Sequence, residues 1–217
     1  MKPYYVQIKD IIKEEEKFYS EEYKSSDWVY LKDASELFLI HAYTHLFLGS
    51  ENRFEIIGDV DYLRKHRQFY LNLAIGLELL LKSIMLKQEM PINKQMKLNG
   101  EIHLDKEKTL QFSEIIKNNI ANIFSNIDQL DLEELKDTLK LINLRRNNIA
   151  HSSKKSTKSY RDEHQFSYVT LYIYEEFFFG MNSELTQLLL LSIKRSKVTQ
   201  GADFPPLNIR PRSLLPG

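Results

Sequence analysis

The apolar positions of this chain fall mostly into helical periods. Leu132, Leu135, Leu139 and Ile142 recur at the spacing of one helical face, and the stripe continues through position 146 to Ile149. From Asp61 to about Gln88 the pattern is again helical, and Leu77, Leu79, Leu80, Leu81, Ile84 and Met85 leave little polar face. That predicts a central helix covered on most sides. Pro3 to about Lys24 reads as a charged amphipathic helix with Tyr5, Ile8, Ile12 and Tyr19 along one side, broken by Ser25-Ser26-Asp27. Asp33-Ala34-Ser35-Glu36 then reads as a capping arrangement that opens a helix running to Gly49. Asn52 to Val60 carries no assignable pattern. Pro91 to Gly100 is expected as a loop, and about Lys106 to Phe124 as a helix bearing Leu110, Ile115, Ile116, Ile120 and Ile123. Asp131, with Glu134 three residues later, is expected to open the helix of the 132–149 stripe. After a serine and lysine loop from Ser152 to Ser159, Arg161 to about Arg195 reads as one long helix or two hinged near Gly180. Its aromatics, Phe166, Tyr168, Tyr172, Phe177, Phe178 and Phe179, point first to core and next to a dimer interface.

These patterns predict an all-α fold with one domain over residues 1–198, and a proline-containing tail over 199–217 that is disordered or draped on the surface. At 217 residues and 42% apolar content the chain can bury a proper core. Thirty basic residues balance thirty acidic ones, so no global charge draws it to nucleic acid. The local picture differs. From Thr138 to Arg161 the charged residues are Lys140, Arg145, Arg146, Lys154, Lys155, Lys158 and Arg161, with no acid among them. The absence of cysteine excludes disulfides, thiolate catalysis and cysteine-based zinc sites, and suits a cytoplasmic location. No signal peptide is expected, because Met1 to Tyr5 run into the charged Lys9 to Lys17. Nor is a membrane span, because Glu78, Lys82, Glu175 and Glu176 interrupt the most apolar stretches.

Two charges stand where apolar residues are expected. Arg146 occupies a stripe position of its helix, so it needs a buried carboxylate or an anion that arrives as ligand. Glu78 sits inside the leucine cluster, and two partners are open to it: Lys82, four residues on, or Arg146 itself. The run Leu144-Arg145-Arg146-Asn147-Asn148-Ile149-Ala150-His151-Ser152 gathers groups suited to phosphate chemistry. Arginine clamps phosphate with a planar fork of donors, asparagine adds neutral hydrogen bonds, and histidine moves a proton near neutral pH. On an unbroken helix His151 would lie about 140° round from Arg146. Either the helix ends near Ala150 or the two groups act from different chains.

Other chemistries lack their residues. His41 and His45 have a chelating spacing, but Ala42 stands where a metalloprotease helix needs glutamate and no further ligand is evident. His66, His103 and His164 are isolated, so no metal site and no cofactor are expected. The scattered glycines form no phosphate loop or dinucleotide fingerprint, no Gly-x-Ser-x-Gly turn occurs, and no carboxylate pair stands out as a hydrolase dyad.

The segment Arg146-Asn147-Asn148-Ile149-Ala150-His151 resembles the motif of the HEPN superfamily, an arginine and a polar residue followed by a histidine near a helix C-terminus. Ala74 to Lys82 resembles that family's earlier helix, which often carries a glutamate followed four residues on by a lysine, here Glu78 and Lys82. The resemblance covers about residues 60–195. It implies an antiparallel helical bundle, here with extra N-terminal helices, and a homodimer that joins two motifs in one cleft. It also implies a metal-independent endoribonuclease acting as a toxin or abortive-infection (phage-defence) effector, restrained by an antitoxin or other regulatory protein. His151 would serve as general base or acid in attack of a ribose 2′-hydroxyl on phosphorus, and Arg146 would stabilise the charge developing on the phosphate. Asn147 would hold the imidazole or a phosphate oxygen, with Asn148 the weaker candidate. Arg145, Lys154, Lys155 and Lys158 would grip the RNA backbone. In one branch of the family a tyrosine two residues after the histidine is modified, but Ser153 stands there and the next tyrosine is Tyr160. Two further readings use the same residues: a catalytically inactive HEPN-like module binding RNA, nucleotide or protein, and a helical scaffold in which Arg146 pairs with Glu78.

Overall fold

The computed structural model describes residues 24–51, 59–98, 101–151, 161–200 and 211–214. Seven helices and one hairpin make up these residues: α1 (Trp28–Glu51), α2 (Asp59–Lys87), β1 (Asn93–Leu98), β2 (Glu101–Thr109), α3 (Phe112–Asn118), α4 (Ile120–Ile123), α5 (Gln129–His151), α6 (Arg161–Phe178) and α7 (Ser183–Gln200). The fold is mostly helical, as the periodicity predicts. The helix expected over 3–24 lies outside the described residues apart from Lys24, as do 52–58 and the 152–160 loop with Lys154, Lys155 and Lys158.

Helix α2 is the centre. Phe69, Tyr70, Leu73, Ala74, Leu77, Leu80, Leu81, Ile84 and Met85 are all buried, and α1 lies along it in the most extensive packing of the fold. The approach is closest at Gly76, where an added Cβ would stand 2.8 Å from Cγ and Cδ2 of Leu39 and 3.2 Å from its backbone nitrogen. Helix α2 ends in two backbone bonds, Glu89 N–H to the Leu86 carbonyl at 3.0 Å and Met90 N–H to that of Met85 at 2.8 Å. This pairing is a Schellman closure, and it puts Glu89 at φ 59, a left-handed position that glycine usually takes. Among the described residues the segment Arg67–Lys87 is long and apolar enough to cross a membrane, against the expectation that its charges would forbid it. Since 78% of its most apolar stretch is buried inside the fold, it behaves as a core helix.

The start of α1 differs from expectation. A 3-10 turn, Ser25–Asp27, leads into it, and Asp27 closes the turn by accepting the Lys24 N–H at 2.7 Å. Asp33 and Glu36 stand inside the helix, because their spacing serves equally to flank Lys32, whose Nζ lies 2.8 Å from each carboxylate. Glu36 is buried and also accepts the Tyr174 hydroxyl at 2.5 Å and the Asn182 amide at 2.9 Å. Burial and the bond to Glu36 raise the Tyr174 phenol well above its ordinary range. Asn182 meanwhile caps α7 by accepting the Leu185 N–H at 3.0 Å. One carboxylate therefore ties α1 to α6 and to the turn that follows it.

That turn contains Gly180 at φ 76, so the 161–195 segment is two helices, as one of its two readings has it. The loop expected over 91–100 is instead part of an antiparallel hairpin that runs on through Thr109, into the start of the helix expected from about Lys106, with Leu98 opposite Glu101 and Gln95 opposite Leu104. The register shifts between Asn93 and Gln95, and Asn93 bridges the irregularity by donating to the Asp105 carbonyl at 2.9 Å. Helical structure begins only at Phe112, where Glu114 accepts the Gln111 N–H at 2.7 Å. That bond, followed by Lys94 at 3.0 Å, holds the Glu114 carboxyl below its usual range. In the tail, Pro211 is buried, Leu214 packs against the core and Arg212 lies 3.7 Å from Glu176, so these described residues drape over α6.

Two substitutions test this backbone. Alanine at Gly76 gains about 1 kcal/mol of helix propensity, yet the clash with Leu39 should leave a net loss of about 1–2 kcal/mol, read as a lower urea midpoint. Glycine at Glu89 relieves a left-handed residue and should raise stability by about 1 kcal/mol in the same measurement.

Candidate functional site

The motif helix α5 is started by Asp128 rather than Asp131. Its carboxylate accepts the N–H groups of Leu130 at 2.9 Å and Asp131 at 3.0 Å. The bond from the Asp131 amide lowers the Asp128 carboxyl, whereas burial, then Asp128 itself, raises that of Asp131. Expectation and structure differ by one turn because both aspartates precede apolar periodic residues. From there Leu132, Leu135, Leu139 and Ile142 go into the core, and Ile149 packs against it.

Arg146 follows on this stripe and meets Glu78, with Nη1 3.5 Å from Oε2. The other carboxylate oxygen takes Lys82, whose Nζ lies 2.8 Å from Oε1 and donates a second bond to Thr109 Oγ1 at 3.1 Å. Both partners open to Glu78 in the sequence are thus engaged, one on each oxygen. The cluster joins α2, β2 and α5, and carries two positive charges against one negative. Burial grades across it, the side chains of Lys82, Glu78 and Arg146 being 9, 19 and 34% exposed. A guanidinium has five donors, and at that exposure Arg146 remains accessible to an anion from solvent. Thr109 was missed because its neighbours read as helix.

The remaining motif residues go elsewhere. Arg145 lies with its guanidinium 5.9 Å from the centre of the Tyr70 ring, a cation–π distance. Asn148 is exposed. Asn147 lines a groove of about 600 Å³ between α3 and α5, with Ser113 and Lys117 on one wall and Lys136, Lys140 and Asn143 on the other. The sequence holds this second stripe in plain view, since 136, 140, 143 and 147 recur at helical spacing, but a polar stripe reads first as a solvated face.

Helix α5 runs unbroken through His151, one residue past the expected end. The His151 side chain lies outside the described residues. Its backbone position is five residues from Arg146, about 140° round the axis, and four residues after Asn147, on the stripe that lines the groove. A single α5 therefore puts the arginine and the histidine on different sectors. Of the other histidines, His41 is exposed, His45 half-buried and His103 exposed at 3.6 Å from Glu101. No group of three or more metal-ligating side chains occurs among the described residues. No protein-family model, curated protein or solved structure matches the chain.

The graded burial sets an order of effects. Glu78→Ala strips the deeper cation, Lys82, of its carboxylate and should cost about 1–3 kcal/mol. Arg146→Ala at the exposed end, and the coupling in a Glu78/Arg146 double-mutant cycle, should each stay under about 1 kcal/mol. Denaturant titration of the four proteins reads this order, and a larger loss from Arg146→Ala would contradict it.

Proposed function

We propose that this protein is a metal-independent endoribonuclease of the HEPN type, cleaving RNA to 2′,3′-cyclic phosphate and 5′-hydroxyl ends. The observation that carries the proposal is Arg146 itself: an arginine on a core stripe, braced by Glu78 on one side and open to solvent on the other. In such a position the guanidinium is oriented before substrate arrives, which is what stabilisation of developing phosphate charge requires. His151 supplies the proton transfer and the ribose 2′-hydroxyl is the nucleophile, so cleavage is confined to RNA. Asn147 holds the imidazole or a phosphate oxygen.

The angular separation along α5 favours a composite cleft in a homodimer, where the arginine of one copy serves the histidine of the other. The working setting is the cytoplasm, with the activity held in check by an antitoxin or other regulatory protein. Ser153 in place of a tyrosine argues against restraint by tyrosine modification. A binding module without catalysis is the second reading, and one observation favours it: an arginine held by Glu78 and still open to solvent can bind an anion without any reaction.

Cleavage of total and transfer RNA in EDTA separates the two. Wild type is expected to cut and leave cyclic phosphate ends, while His151→Ala and Arg146→Ala, folded and associated as wild type, should lose at least about a hundredfold in rate, the scale of one general acid–base group or one charge-stabilising donor. Equal background in all three proteins would overturn the enzyme reading and leave the binding module.

A further inference from the structure

The groove between α3 and α5 lies beside the Glu78 cluster and is not part of it. Every charged side chain that lines it is a lysine: Lys117 from the last turn of α3, and Lys136 and Lys140 from α5. Ser113, Asn143 and Asn147 add neutral hydrogen-bonding groups, and Ile116 and Leu144 contribute apolar surface between them. Among the described residues no carboxylate lines the groove. Lys140 holds Asp137 at 2.8 Å, but the two side chains are 62 and 73% exposed, a pairing that solvent and salt weaken. Among the described residues neither Lys117 nor Lys136 is paired with an acid. In a chain of zero net charge, a groove lined by cations alone is a local departure from the average.

Its direction matters as much as its charge. Lys136, Lys140, Asn143 and Asn147 follow one another along α5 over eleven helical steps, about 16 Å at the rise of an α-helix. His151 is the next position on that stripe, whereas Arg146 is not on it. Binding along the groove would therefore lead toward the histidine's sector of the helix.

We infer that this groove binds the phosphate backbone of single-stranded RNA, with Lys117, Lys136 and Lys140 as its cations, and delivers the strand to His151. The inference deepens the ribonuclease reading and rests on it for the destination of the strand. Lysines without a planar fork act on phosphates as point charges, so the grip is indifferent to base sequence. Ile116 and Leu144 between them offer an unstacked base apolar contact without the stacking an aromatic ring would give.

The test uses the full chain and a fluorescein-labelled oligoribonucleotide of about twelve residues with 2′-O-methyl riboses, which removes the nucleophile and so isolates binding. Anisotropy is followed across a series of KCl concentrations for wild type, the triple variant Lys117→Gln, Lys136→Gln, Lys140→Gln, and its charge-keeping counterpart with arginine at all three positions. Every phosphate that no longer meets a lysine should flatten the slope of log K against log salt by about 0.7. Removing two or three such charge pairs corresponds to roughly 25- to 100-fold weaker binding near 0.1 M salt. The arginine variant should bind as wild type, and Lys194→Gln on α7 should change nothing. Equal slopes for wild type and the glutamine variant would overturn the inference. So would failure of wild type to bind RNA, which would turn attention to an acidic protein as the groove's occupant. Cleavage of unmodified RNA is scored separately. Salt-dependent binding through the three lysines without any cleavage would uphold the groove and defeat the ribonuclease reading, whereas cleavage with unaltered binding by the glutamine variant would do the reverse.

Discussion

A helix that is apolar around most of its circumference must be covered from every side, and α2 imposes that requirement on the rest of the chain. Its buried residues take up most of its circumference, with Leu71, Ile75, Glu78 and Leu79 left half-buried along one stripe, and α1, α3, α5 and α6 are distributed around it. The tightest restriction is at Gly76, where the side chain of Leu39, with its backbone nitrogen close behind, leaves no room for a Cβ unless α1 shifts. The polar groups that α2 does carry are consequently confined by the covering elements. Lys82 is buried because β2 closes over it, and Thr109 satisfies one of its protons.

The same requirement explains why α5 has three distinct surfaces. One faces α2 and carries the leucines, and Arg146 at its far end meets the Glu78 carboxylate that α2 presents there. A second faces α3 and is lysine and asparagine. The third is open to solvent. Helical geometry assigns Arg146 to the first surface and the backbone position of residue 151 to the second.

Where the apolar period was long, it located elements well. Leu132, Leu135, Leu139 and Ile142, and Leu77, Leu80, Leu81, Ile84 and Met85, are buried as their spacing requires, Ile149 and Leu79 only in part, and the unlike charges that interrupt the two stripes, Arg146 and Glu78, do meet. Helix starts were less legible. Asp33 with Glu36, and Asp131 with Glu134, have the spacing of caps, yet Glu36 is an acceptor for a tyrosine and an amide far away in sequence, and Asp128 does the capping of α5. A local rule could not register the distant donors. The hairpin was missed for a related reason. Lys106, Glu107 and Lys108 are good helix formers, and pairing of β2 with β1 depends on contacts that a single segment does not contain. The groove needed α3 beside α5 before its lysines could be read as one surface.

The division of the Glu78 carboxylate between two cations has a consequence for occupancy. With one oxygen on Lys82 and the other facing Arg146, the trio is electrically one unit over balance. An anion arriving at Arg146 would meet the edge of the guanidinium that is open to solvent, with Glu78 and Lys82 already paired behind it. Neither state strands a charge in the interior. An anion would thus dock at the surface of the cluster while its buried half stayed as it was, with the attachment of β2 to α2 intact.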